Sequence, residues 1–274
     1  WLGTTSLRFQ PAWLVKIVMI LFLAVVITRL GKRINEWRVW GMLVVLLGPL
    51  ALFVTLNNLS SGIIICGIAF VMMFVACKRK WPFILVVAGL IVVIVFAPPV
   101  AIAMEKAGIL HSYQLSRILV WKNPEAYPKS GGYQVLQGLY AIGSGGLLGK
   151  GLGQSIQKLS FLPEPQNDMI FAVICEELGL FGAIAVIFMF LFMLYRFLVI
   201  AGNAPDLFGA MLVTGVLAHI AIQVVLNIAV VTNVIPNTGI TLPFISYGGT
   251  SVLFLMVEMG MVLSVSNRIR LEQA

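Results

Sequence analysis

Charge is scarce in this sequence. Only 10% of its 274 residues are Asp, Glu, Lys or Arg, against 60% hydrophobic, where a soluble globular domain carries about 25% charged residues. That deficit, with a mean hydropathy of +1.03, excludes a soluble domain and leaves an all-α polytopic membrane protein. Cysteine is nearly absent as well. Cys66, Cys77 and Cys175 show no C-x-x-C spacing and no pairing on one loop, which leaves them as packing residues rather than a disulfide framework or a zinc site. Of the two histidines, His111 is a lone loop residue, and His219 has no second His or Cys within a helical turn, which favours a hydrogen bond over a metal there. Neither a repeat of about 20 to 50 residues nor a low-complexity tract is found, which argues against a solenoid. There is no initiator methionine or signal peptide to read. The chain opens in mid-pattern with WLGTTSLRFQP, as expected of a fragment lacking an N-terminal part.

What is abundant is apolar runs long enough to cross a bilayer, which takes about 20 residues. Seven are read, at 11–29, 41–57, 61–77, 82–103, 169–194, 207–232 and 249–266. The net charge of +8 is not a nucleic-acid signature, because the basic residues cluster in the connections between these runs. Arg29, Lys32, Arg33 and Arg38, then Lys78, Arg79 and Lys80, then Arg196, then Arg268 and Arg270 occupy every second connection. The positive-inside rule puts those on the cytoplasmic side. Parity places the long loop 104–168 outside the cytoplasm, within a single membrane domain spanning 1–274. That loop still carries Lys106, Arg117, Lys122, Lys129, Lys150 and Lys158, more cation than orientation asks for, which suits an anionic ligand.

Within the loop, YQVLQGLYAIGSGGLLGKGLG (133–153) is too broken for a span. It reads as a re-entrant or interfacial segment whose irregular backbone must be satisfied by protein or a wet cavity. SGGLLGKG is not a phosphate-binding P-loop, since Ser144 stands at the first glycine position and Gly151 where Ser or Thr must follow Lys150. The stretch LPEPQNDMIFAVICEELG (162–179) gathers Glu164, Asp168, Glu176 and Glu177, four of the ten acidic residues of the chain, at the edge of an apolar run. Carboxylates there are functional candidates. Asp168 is either a helix N-cap or a chemical group. Glu176 and Glu177 read as polar contacts between helices. Lys16 and Glu258 lie inside spans and need partners in the bundle, with snorkelling as the alternative for Lys16. His219 reads as an interhelical hydrogen bond. PNTGITLPFISYGGTS (236–251) reads as a fixed loop packed against or dipping into the bundle.

Three of these stretches, FLPEPQNDMIFAVICEELGLFG, YQVLQGLYAIGSGGLLGKGLGQS and PNTGITLPFISYGGTS, resemble the signature segments of the SEDS family, whose members include FtsW, RodA and SpoVE. They occur in the family's order, and the similarity covers essentially the whole chain. The resemblance implies ten spans in the full fold, with three missing here ahead of the seven. It implies a peptidoglycan glycosyltransferase that polymerises lipid II into glycan strands on the outer face of the bacterial cytoplasmic membrane, in division, elongation or sporulation. The implied partner is a class B penicillin-binding transpeptidase. The family's essential aspartate matches Asp168 and its preceding acid Glu164. Lys16 in FQPAWLVK matches the lysine of the QP-x-E-x-x-K pattern, and Arg117 matches an arginine ahead of the Gly-Tyr-Gln block. Trp13 replaces the usual glutamate of the first pattern, and Asn57-Asn58 stand where Pro-Asp is common.

The implied chemistry is consistent with the residues. The leaving group is a lipid pyrophosphate, which needs cations rather than a general acid. One base then suffices, and general-base help contributes about 10² to 10⁴ in rate. The expected assignment is Asp168 as base, with Lys16, Arg117, Lys150 and Glu164 binding substrate. A divalent cation, Mg or Mn, at Asp168 would share the charge neutralisation. The alternatives are a lipid II flippase, which buried Lys16 and Glu258 would also suit, and a scaffold that recruits the transpeptidase.

Overall fold

The computed structural model describes residues 2–3, 8–106 and 113–269. His111 and Arg270 therefore lie outside the described residues. Among the described residues ten α-helices follow in order: α1 (Pro11–Leu30), α2 (Trp37–Asn57), α3 (Leu59–Ala76), α4 (Trp81–Lys106), α5 (Tyr113–Lys122), α6 (Gly132–Gly145), α7 (Gln157–Ser160), α8 (Ile170–Gly202), α9 (Leu207–Val231) and α10 (Gly249–Ser266). A two-residue antiparallel pairing of Leu2–Gly3 with Arg8–Phe9 precedes them. Among the described residues six helices are long and apolar enough to cross a membrane: α1, α2, α3, α8, α9 and α10. The remaining expected segment, 82–103, lies in helix α4, which is 26 residues long. The long loop is largely helical too, carrying α5, α6 and α7.

The chain forms two compact units. The first comprises residues 1–80, 189–224 and 248–274. Its helix α1 begins with Pro11, whose fixed φ and missing N–H suit the first helical position, and stops at Gly31. Ile17, Ile20, Leu23, Ala24 and Ile27 form its buried stripe. Helix α2 keeps Val44, Val45 and Phe53 exposed, an apolar face suited to lipid. Asn58, at the position where the resemblance implied an aspartate, heads α3 and accepts from the Ser61 N–H at 3.0 Å. Two glycines permit close crossings here: a Cβ on Gly62 would lie 2.1 Å from Thr55 Oγ1, and one on Gly215 2.6 Å from Ile20 Cγ2. Cys77 is buried as expected of a packing residue, whereas Cys66 is exposed.

The second unit comprises residues 81–188 and 225–247. Its defining feature is a break in α8, where Gly179 takes φ 65°, ψ −164° and divides the helix. The expected glycine-rich segment supplies what the break leaves open. Lys150 N–H donates to Glu176 O and Gly151 N–H to Glu177 O, each at 2.9 Å, while Leu180 N–H donates to Gly146 O at 2.9 Å and Phe181 N–H to Leu147 O at 3.3 Å. Irregular backbone beside an apolar helix is thus paired with protein. Only glycine fits this crossing, since a Cβ on Gly145 would sit 1.9 Å from Cys175 O and one on Gly179 2.4 Å from Gly149 N.

Candidate functional site

Asp168 lies in the turn that enters α8, and its side chain is buried. The N-cap alternative is not what is observed. Met169 heads the first turn, its carbonyl accepting from the Ala172 and Val173 N–H groups. The Asp168 carboxylate instead meets Gln134 Nε2 of α6, at 3.4 and 3.5 Å to its two oxygens. Burial is the main influence on its acidity and lifts its pKa to about 6, with its own backbone N–H opposing, Glu164 pushing the same way as burial, and Gln134 and Arg117 opposing as well. Two elements fix it in place. Asn227 of α9, fully buried, donates through Nδ2 to Asp168 O at 2.9 Å and to Ile240 O at 2.6 Å. From the 232–248 loop, Ser246 Oγ donates to Asn167 O at 2.6 Å and Tyr247 N–H to Gln166 O at 2.8 Å. That loop is packed onto the acidic turn, as its composition suggested.

Around Asp168 the other expected residues fall into place or out of it. Glu164 is exposed on the same turn, with its side chain taking a hydrogen bond from Asn167 Nδ2. Its φ of 51° is unusual for a non-glycine residue and marks a locally strained turn. Arg117 of α5 donates through Nη1 to Asn237 O at 2.9 Å. Its charge is felt at Asp168. A Cβ on Gly239 would sit 3.9 Å from Asp168 Oδ2, so loop backbone approaches the carboxylate closely.

Lys150 is placed differently. Its ammonium donates to the buried Glu176 carboxylate at 2.6 Å and to Ser144 Oγ at 2.9 Å. Glu176 also takes hydrogen bonds from Ser155 Oγ, from the Ile156 N–H at 3.2 Å and from the Gln157 N–H at 3.3 Å. Glu177 takes the Gly153 N–H at 3.0 Å and pairs with Lys158. The two glutamates, expected to join neighbouring helices, instead clamp the 144–158 segment against the broken helix.

Lys16 belongs to the other unit. It is buried in α1, donates to Gln223 Oε1 at 3.2 Å and lies 3.9 Å above the Trp13 ring. His219 Nε2 bonds Gln223 at 2.9 Å, and His219 Nδ1 meets Glu258 of α10 at 2.8 Å. The expected interhelical bond of His219 is there, and Trp13 serves as a partner of Lys16 where the resemblance implied a glutamate. The sequence did not single out Gln134, Asn227, Gln223 or Asn237. Uncharged amides carry no membrane penalty large enough to mark them, and their partners lie up to 207 residues away in the chain.

The family model described as cell cycle protein, FtsW/RodA/SpoVE, matches residues 1–271. The chain belongs to the FtsW/RodA/SpoVE family. Stage V sporulation protein E of Bacillus subtilis is 38% identical over 272 residues, covering 97% of this chain and 70% of that protein. The probable peptidoglycan glycosyltransferase FtsW of Trichlorobacter lovleyi is 35% identical over 274 residues, covering 99% and 69%. Among solved structures, a chain of a peptidoglycan synthase complex described as coordinating polymerization and crosslinking superposes with a TM-score of 0.75. It is 27% identical and covers 100% of this chain and 74% of its own. RodA of Thermus thermophilus superposes at 0.65 with 24% identity, covering 99% and 70%, and shares the fold. As an FtsW/RodA/SpoVE protein with six helices among the described residues long and apolar enough to cross a membrane, the chain is a multi-pass protein of the cytoplasmic membrane. Its Asp168 turn and glycine segment both lie within the matched region.

Proposed function

We propose that this chain is a peptidoglycan glycosyltransferase that polymerises lipid II, with Asp168 as its general base. The observation that carries the reading is a single buried carboxylate whose pKa burial has raised to about 6, bonded to a neutral amide and left with open acceptor capacity. A carboxylate of that kind is a better proton acceptor than a solvated one and is still ionised at neutral pH. In the step proposed, an acceptor sugar hydroxyl oxygen forms a bond to the anomeric carbon of the donor. The carbon–oxygen bond to the lipid pyrophosphate breaks, and its electron pair leaves with the pyrophosphate. The hydroxyl proton passes to Asp168. Arg117 supplies cationic charge on the leaving-group side and Glu164 helps orient the sugars.

Of the remaining candidates, Lys150 acts through the clamp with Glu176, holding the 144–158 segment. Lys16 acts through its network, bracing α1, α9 and α10. That network satisfies the groups that would have suited a translocation path, since Gln223 joins Lys16 to His219 and His219 in turn meets Glu258. Among the described residues no group of three or more His, Cys, Asp or Glu side chains is arranged to hold a metal. A divalent ion fits only in the way Mg²⁺ commonly binds, through one or two carboxylates and substrate phosphate oxygens. Asp168 and Glu164 would then hold it, and it would supply charge neutralisation at the pyrophosphate. The fitting partner is a class B penicillin-binding transpeptidase, which would crosslink the strands made here. The test is strand formation from purified lipid II by the full-length protein in detergent, where no translocation is needed. Polymer is expected; a flippase or a scaffold would give none.

A further inference from the structure

The amides around Asp168 fix one another's orientation. The Gly239 N–H, which has no choice but to donate, points at Asn237 Oδ1 at 3.0 Å. Asn237 Nδ2 is therefore the atom that faces Gln134, and it donates to Gln134 Oε1 at 3.1 Å. Gln134 Nε2 is left with its two hydrogens toward two acceptors, Pro163 O at 3.4 Å and the Asp168 carboxylate. Both ends of this chain of amides are anchored by backbone groups whose polarity cannot be reversed, the Gly239 N–H and the Pro163 carbonyl. Arg117, donating to the Asn237 carbonyl, holds the residue from which the orientation starts.

The geometry points to Gln134 as the positioning residue of the Asp168 carboxylate, and to Asn237 as the residue that, together with the Pro163 carbonyl, sets which end of the Gln134 amide the carboxylate meets. This rests on Asp168 being the base. A donor on one side of the carboxylate fixes its plane and leaves the remaining lone pairs to take the proton of the acceptor hydroxyl. A neutral donor does so without the loss of basicity that a cation at the same distance would cause. Contacts at 3.4 to 3.5 Å are at the long limit for hydrogen bonds, and such contacts tighten when substrate completes a site.

The inference predicts an order of effects that a packing role would reverse. Asn237→Asp is nearly isosteric but puts an acceptor where Gln134 Oε1 needs a donor. The Gln134 amide then turns, and its oxygen faces Asp168. Asn237→Ala removes the contact yet leaves the Gln134 amide oriented by Pro163. In full-length protein assayed for lipid II polymerisation, Asn237→Asp should lower kcat roughly tenfold or more while KM stays within about twofold. Asn237→Ala should lower kcat less. Gln134→Ala should lower kcat as Asn237→Asp does, and the double variant Gln134→Ala/Asn237→Asp should be no worse than Gln134→Ala. Should Asn237→Asp fail to accumulate as folded protein, Gln134→Glu serves instead. It keeps an acceptor for Asn237, removes the donor toward Asp168, and should lose kcat at least as much as Gln134→Ala. A larger loss for Asn237→Ala than for Asn237→Asp, additive losses in the double variant, or parental kcat in Gln134→Glu would overturn the inference. Asp168→Asn is the control that separates the two levels. Inactivity there with unaltered amide variants rejects only the relay, whereas full activity there removes the base and the relay with it.

Discussion

Replacing Lys150 by Met takes the ammonium away from Glu176 while keeping much of the aliphatic stem. The bond removed is 2.6 Å long, and the Glu176 side chain is fully buried whereas that of Lys150 is 29% exposed. Hydrogen bonds to charged groups contribute about 1.5–3 kcal/mol, and partial exposure puts this one in the lower half, about 1.5–2 kcal/mol. Ser155 Oγ and the Ile156 and Gln157 N–H groups remain on the carboxylate, so the buried charge is not stranded. For a domain of this size each kcal/mol moves the melting midpoint by about 2–4 °C, giving an expected drop of about 3–8 °C. Glu176→Gln should cost at least as much, because its new N–H group faces donors at either oxygen position, Lys150 and the Ile156 N–H at one and Ser155 Oγ and the Gln157 N–H at the other. The double variant Lys150→Met/Glu176→Gln should lose less than the sum of the two. The assay is thermal unfolding of the purified protein in detergent, followed by tryptophan fluorescence, with KM for lipid II measured on the same samples. An unchanged midpoint with a large rise in KM in Lys150→Met would refute the clamp and make Lys150 a substrate ligand.

Gly179→Ala should prevent accumulation of folded protein, since the added Cβ meets Gly149 N at 2.4 Å and φ is 65°. Gly153→Ala, at φ 81° with nothing within 4 Å, should cost only the backbone strain of about 1–3 kcal/mol; equal behaviour of the two variants in a detergent-stability screen would refute the crossing. Asp168 should give a pH profile in which kcat/KM rises about tenfold per pH unit up to about pH 6 and then levels. A profile flat between pH 5 and 7 would contradict its role, whatever the absolute rate. Stability should run the other way. The folded pKa of about 6 exceeds the usual 3.8, so the native state binds more protons and loses up to about 3 kcal/mol as pH rises from 4 through 6. Asp168→Asn should therefore melt higher than the parent at pH 8, with the gap closing near pH 4. Glu258→Ala, which leaves the buried His219 Nδ1 without its partner, should cost about 1–3 kcal/mol, read as a lower melting point and loss of monodisperse protein; a parental melting point would refute the brace.

The spans were legible because hydrocarbon demands long apolar runs, and the observed helices begin and end within a few residues of the expected limits, apart from an α8 that runs on to Gly202. Asp168, Arg117 and Glu164 were legible because charge is rare here, so each charged residue stands out. The break at Gly179 was not. The first glycine of LGLFG reads as a tolerated helix residue, and only the partner segment 146–151, some 30 residues earlier, makes its conformation necessary. The partner of Lys150 was hidden for the same reason, since the pairing depends on that crossing. Gln134 and Asn237 lie in two of the signature stretches, yet nothing local marks these uncharged amides individually. Their roles come from a chain of donors and acceptors that exists only once α6 and the 232–248 loop meet the acidic turn.

The most direct test of the central claim is glycan strand formation from lipid II by full-length protein carrying Asp168→Asn. The substitution keeps the size of the side chain and removes its charge and nearly all its basicity. Parent and variant are compared in detergent, with folding checked by monodispersity and melting point. With Asp168 as the base, the parent makes polymer and the folded variant loses at least about 10²-fold in rate. Equal polymer from both would remove Asp168 from the mechanism.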